Sequence, residues 1–177
     1  RKEAFDVYKI PVQHLKYNFL NVRIKAELRK KQRELGRTFN PASNDDQKIV
    51  EKILLTSKFY SEQATTNITQ NIRDIGQTDP AWVAEDGTVW NGNRRLAIRN
   101  NLAQTPGETN IQQWKEVDVI FLPTGWKTKR LKMLERKEQM QRGYKENYGK
   151  VQDYLEIRDS VNDPEWSLAE VVDSFNN

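Results

Sequence analysis

Apolar and polar positions change their period several times along the chain, and each change marks an element. Residues 7–12 are β-rich and end near Pro11, which predicts a strand with the proline at its end or edge. Residues 24–35 form a strongly charged stretch that predicts a helix stopped by Gly36. Asn40-Pro41 lies in a loop, and Asp45 or Asp46 is placed to cap a helix over residues 47–59. There Ile49, Val50, Ile53 and Leu54 recur at helical spacing. Thr65 or Thr66 is placed to cap a further helix through Asp74, with Gly76 as its stop. Residues 81–85 and 88–91 flank Asp86-Gly87, a strong hairpin signal. Gly92 follows, and residues 94–102 read as a helix. Residues 117–122 read as a strand ended by Pro123 and Gly125. Residues 129–140 read as a helix, extended or followed by another to Val161. Asp163-Pro164 breaks it, and Ser167 caps a last helix over residues 168–175.

This order of few strands with helices between and after them is an α+β class. At 177 residues the chain is long enough for one core, yet only 36% of residues are hydrophobic and 31% are charged. No apolar run approaches the roughly 20 residues of a membrane helix, and no secretory signal pattern is present. The start at Arg1 rather than Met reads as a piece of a longer protein. Cysteine is absent, which excludes disulfides, thiolate catalysis and cysteine-ligated metals. A single histidine, His14, argues against a Ser-His-Asp triad or a multi-histidine metal site.

Charge is unevenly placed. Residues 23–37 carry seven Lys/Arg against two Glu, and residues 127–150 carry nine against three, for nets of +5 and +6. Residues 151–177 carry seven acids against one Arg, a net of −6. Two basic runs and an acidic tail suit a body that binds a polyanion, or simply solvated helix faces.

The densest chemical signal runs from Asp86 to Ala97. A strand delivers the backbone to Gly92 and a helix starts at once. The first turn of a helix offers unpaired N–H groups and partial positive charge, so it attracts anions. Gly92 permits close backbone approach, Arg94 and Arg95 add guanidinium donors for phosphate oxygens, and Arg99 one turn on could reinforce them. The plainer alternative is a surface helix with ordinary arginines. A second constellation, Glu135, Glu138 and Arg142, shares one helical face, with Gln139 and Gln141 between. A carboxylate beside an amide oxygen can hold a hard cation, and magnesium brings phosphates with it. The alternative there is an intrahelical ion pair.

Both constellations resemble the ParB/sulfiredoxin superfamily, and specifically its ParB-like N-terminal nucleotide-binding domain. Residues 8–12 resemble the opening strand, and Asn18 to Arg23 resembles a short Asn/Pro/Arg box, with Val22 where Pro is usual. Gly87 to Ala97 is similar to the "D-G … G-x-R-R" box, and Glu138 to Arg142 is similar to the "E-N-x-Q-R" box. The resemblance implies a small mixed sheet with flanking helices in residues 1–125. Residues 24–63 would be a helical insertion, and 126–177 a helical C-terminal part that begins a truncated helix-turn-helix. It implies that Gly92, Asn93, Arg94, Arg95 and Arg142 hold the phosphates of a nucleoside triphosphate, CTP or ATP. Magnesium would sit near Glu138 and Gln139, and Glu138 and Glu135 would be the catalytic carboxylates if hydrolysis occurs. Asn93, Ile98 and Gln139 depart from the residues usual at these places, so the base is left open. The implied function is a nucleotide switch or slow NTPase in a DNA-associated protein, a possible homodimer of cytoplasmic bacterial, phage or plasmid origin. A metal-dependent nuclease, a serine-kinase-type phosphotransferase and a non-catalytic DNA- or protein-binding module are the alternatives, because one fold hosts many reactions.

Overall fold

In a computed structural model, residues 5–57, 62–109, 111–141 and 150–176 are described. For helix residues 62, 64, 136–141, 150–153, 155–156 and 174–176 this extends to the backbone alone. The elements are β1 (Val7–Pro11), β2 (Lys16–Tyr17), α1 (Lys25–Glu34), α2 (Asn44–Thr56), α3 (Glu62–Ile75), β3 (Ala81–Val83) and β4 (Thr88–Asn91). They continue with α4 (Asn93–Gln104), α5 (Ile111–Trp114), β5 (Glu116–Phe121), α6 (Thr128–Gln141), α7 (Lys150–Val161) and α8 (Leu168–Asn176). The five strands form one mixed sheet in the order β1-β5-β3-β4-β2. β1 and β5 are antiparallel, as are β3 and β4, while β3 runs parallel to β5 and β2 parallel to β4. The α+β expectation therefore holds.

Period-two burial explains the layers. Val117 and Val119 of β5 face one side, as do Ala81 and Val83 of β3 and Val89 of β4. Helices α1, α2 and α4 cover that side with Leu28, Val50, Leu54, Leu96 and Ala97. Trp90, next to Val89, faces the opposite side and packs with Leu122 and with Leu131 of α6. The hairpin turn follows the expected chemistry. Asp86 accepts from the Thr88 N–H at 3.0 Å and from the Thr88 hydroxyl at 2.9 Å, and Gly87 takes a left-handed φ of 85°.

Several local expectations are corrected. Ser43, not Asp45 or Asp46, caps α2, accepting from the Asp46 N–H at 3.4 Å. Asp46 turns inward instead. It takes both Arg37 nitrogens, at 2.9 and 2.5 Å, and the Asn40 N–H at 2.8 Å. Thr65 and Thr66 are not caps, because α3 already begins at Glu62. Helix α2 ends at Thr56, short of the expected residue 59, because Ser57 already leaves helical geometry at φ −57° and ψ 129°; residues 58 and 59 lie outside the described residues. Residues 24–57 contribute Ile24, Leu28, Phe39, Val50 and Leu54 to the principal core. The C-terminal helices dock on this body: α7 on α1, and α8 on α6 and α7. Ser167 caps α8 as expected, and Glu170 answers it by accepting from the Ser167 N–H at 2.9 Å.

Candidate functional site

The site is built where β4 turns into α4. Gly92 adopts φ 106°, and a Cβ there would lie 3.1 Å from Ala81 Cβ on β3. Glycine is required by the left-handed backbone and by the close approach of the helix start to the neighbouring strand. Having no side chain, it also leaves the first-turn amides of α4 without a side-chain cap from the N-cap residue.

Helix α4 is buried around most of its circumference: Asn93, Arg94, Leu96, Ala97, Ile98, Arg99 and Leu102 are all buried. Three polar side chains are thereby drawn inside, where each needs a partner. Asn93 donates through Nδ2 to the Val89 carbonyl at 2.6 Å and accepts through Oδ1 from the Asn18 N–H at 2.8 Å. It ties the strand and the segment after β2 to the helix start. Arg94 donates to Thr65 Oγ1 at 2.6 Å, near the start of α3. Arg95 is exposed and reaches Asp79 Oδ2 at 3.5 Å, beyond the other end of α3. The two neighbouring guanidiniums therefore diverge to opposite ends of one helix. Arg99 donates to the carbonyls of Gln113, at 2.6 Å, and Glu116, and its guanidinium lies 5.5 Å from the Trp114 ring centroid. Burial pulls its pKa below the ordinary arginine value, with the Asp118 charge acting the other way. Arg99 therefore fastens α4 to the α5–β5 connection, and it also lines the crevice beside Gly92 and Arg95.

Two hollows flank this region. A crevice of about 20 Å³ beside Gly92, Arg95, Asp79 and Gln77 has room for about one water molecule. A cavity of about 640 Å³ opens on the other side of the hairpin. Its walls are Tyr17 to Leu20, Ala84 to Asp86, Trp90, Leu122, Trp126 and Leu131. That volume is of the size used for small-molecule sites. Arg94 and Arg95 do not line it. Asn18 links it to the helix start, since Asn18 lines the cavity and donates its N–H to Asn93. This cavity was not assembled from the sequence, because its walls come from four distant segments, Pro41 among them, with no shared local pattern. Tyr17 on its wall donates to Glu51 Oε2 at 2.6 Å, and burial, followed by the Glu51 charge, pushes its phenol far up.

Of the second constellation, Glu135 is buried on α6, one turn beyond the buried Leu131 that packs on Trp90. Glu138 and Gln139 lie on the same continuous helix, within the part described as backbone. Arg142 lies outside the described residues. The first basic run is partly occupied. Lys25 reaches Asp159 at 2.6 Å and Arg29 pairs with the same carboxylate, while Lys31 pairs with Glu34 at 3.0 Å. Burial pushes Asp159 up, but the hydrogen bond and charge of Lys25, with Arg158 and Arg29 behind them, hold it below the usual carboxylate range. His14 is exposed, and Trp90, Trp114 and Trp166 are buried, as core or interface residues would be. No helix among the described residues is long and apolar enough to cross a membrane.

No family model matches the chain, and no curated protein matches it. The solved C2221 form of a Pnob8-like ParB-N domain is similar to it at 12% identity, with a TM-score of 0.42 over 76% of this chain. The chain spans 37% of the length of that structure's chain.

Proposed function

We propose that the chain binds a nucleoside triphosphate with magnesium and acts as a switch or slow NTPase in a DNA-associated protein. The observation that carries this reading is the junction itself: β4 runs into a left-handed Gly92, and α4 starts with Arg94 and Arg95 in its first turn. The positive end of the helix dipole and two guanidiniums supply the charge and donors that a polyphosphate needs. Arg95 is exposed and held only by a long surface pair, so it can exchange Asp79 for a phosphate oxygen at little cost. Arg94 approaches from the buried side, braced by Thr65.

Glu138 and Gln139 offer a carboxylate and an amide oxygen, hard donors of the kind magnesium takes. When bound, the ion would neutralise part of the phosphate charge. Glu135 and Glu138 are the carboxylates proposed to hold a water for attack on the terminal phosphorus, with the diphosphate leaving. Arg142 would add positive charge. DNA association, and a homodimer, belong to this reading of the whole protein.

The test is thermal stability with CTP, ATP, GTP, UTP and ADP, each with and without magnesium. A ligand at about 100 times its dissociation constant stabilises by roughly 2.7 kcal/mol, a visible shift. A magnesium-dependent shift with a triphosphate, weakened in Arg95→Ala and in Arg94→Lys, is the expected result. No shift with any of them, or affinity unchanged in both variants, would overturn the assignment.

A further inference from the structure

The large cavity beyond the hairpin shares no wall residue with the crevice beside Gly92 and Arg95. Its wall has an aromatic part and a charged part. Phe19, Trp90 and Trp126 supply rings, and Leu20, Leu122 and Leu131 add further apolar surface. Trp90 is buried against Leu122 and Leu131, so its position is set by the core. Arg130 lies 3.8 Å from the centroid of the Trp126 ring without lining the cavity itself, and it braces that indole. Glu85 and Asp86 are the charged residues on the wall, and no lysine or arginine is among them.

Several polar groups on this wall are already bonded. Tyr17 donates its hydroxyl to Glu51 at 2.6 Å. Asp86 takes both the hydroxyl and the N–H of Thr88. Two groups are left over. Asn18 is 2% exposed, and its Oδ1 accepts the Leu20 N–H at 2.9 Å, which fixes the amide. Its Nδ2 is then buried with no acceptor among the described residues. A buried N–H ordinarily has a partner, so an acceptor is missing here. Glu85 is exposed and makes no ion pair among the described residues.

These leftovers describe a ligand by complement. Rigid rings take a flat aromatic group. A carboxylate without a cation takes an ammonium, and an N–H without an acceptor takes an oxygen. An anionic ligand would meet two carboxylates and no cation on this wall, and like charges oppose that. We propose that this cavity binds a small aromatic amine that carries a ring-bound oxygen. Its ring would lie against Trp90 and Trp126, its ammonium at Glu85, and its oxygen would accept from Asn18 Nδ2. This site is separate from the proposed nucleotide site and does not rest on it.

The probe is tyramine, with 4-hydroxyphenylacetate and phenethylamine as controls. The first control puts a carboxylate in place of the ammonium, and the second lacks the ring oxygen. Each is titrated into the full chain while the tryptophan indole N–H signals are followed by NMR. Tyramine is expected to move the signals of Trp90 and Trp126 and to leave that of Trp114, which belongs to a separate core cluster. It should bind about fivefold tighter than either control, or more. Glu85→Gln should cost about fivefold in tyramine affinity, and Glu85→Lys should turn the preference towards 4-hydroxyphenylacetate. Glu85 is exposed, so both variants should fold, and Tm checks this. The ligand preference of the parent chain stands as a test without either variant. No binding of tyramine, equal binding of tyramine and either control, unchanged affinity in both folded variants, or shifts confined to other tryptophans would overturn the proposal.

Discussion

Asn93 Oδ1 accepts the backbone N–H of Asn18 at 2.8 Å, across 75 positions of sequence. The same amide donates to the Val89 carbonyl, so one side chain joins β4, the start of α4 and the wall of the large cavity. The side chain of Asn93, a residue the sequence offers as a phosphate contact, makes two buried hydrogen bonds that shape the site.

Asn93→Ala should therefore act on stability first. It removes both bonds and leaves a buried N–H and a carbonyl without that partner, a loss of about 2–3 kcal/mol. Asn93→Asp should fare little better, because it keeps the acceptor for Asn18 but sets a carboxylate oxygen against the Val89 carbonyl. Urea denaturation of both variants checks this. A stable Asn93→Ala protein with lost triphosphate binding would instead make the side chain a ligand contact.

Acid should loosen the C-terminal helices. The Glu170 carboxyl is held well below its ordinary value, down to about 2. The hydrogen bond from Lys129 is the largest cause, followed by those from Ser167. A carboxylate depressed in the folded state contributes fully above its unfolded pKa, near 4.5, and loses that contribution as pH falls towards 2. Asp159, also depressed, adds a loss of the same sign where α7 meets α1. Glu170→Gln should thus lower Tm at neutral pH and narrow the gap between Tm at neutral pH and at about pH 3. An unchanged gap in the variant would remove Glu170 from the acid response.

What was legible in the sequence followed local chemistry. The Asp86-Gly87 turn, the start of α4 after Gly92 and the Ser167 cap depend on residues a few positions apart, and all three formed as read. What was not legible depended on distant partners. Strand β2 is two residues long and exists because Lys16 and Tyr17 pair in parallel with Thr88 and Val89. Asp46 looked like a cap because acids favour helix starts, but Arg37 drew it inward and Ser43 took the role. The arginines of α4 gave the least away. The helix is covered on most sides, so its sequence shows little amphipathic pattern, and an arginine that fastens the core reads like one that waits for phosphate.

Arg95 and Arg99, one helical turn apart, should separate on this point. Arg99 is buried and supplies donors to two carbonyls, so Arg99→Met leaves both without their partner inside the protein. A loss of roughly 2–4 kcal/mol is expected, which removes a large part of the stability of a chain this size. Arg99→Lys restores one flexible donor without the planar fork, so its stability should fall between the two. Arg95 is exposed with one long pair to Asp79, and Arg95→Ala should stay within about 0.5 kcal/mol of the parent. Triphosphate affinity should run the other way, lowered in Arg95→Ala and kept in Arg99→Lys wherever that variant remains folded. Urea melts and nucleotide titrations of the same three proteins decide it. If Arg95→Ala cost more stability than Arg99→Met, the division between a fastening arginine and a ligand-facing one would be wrong.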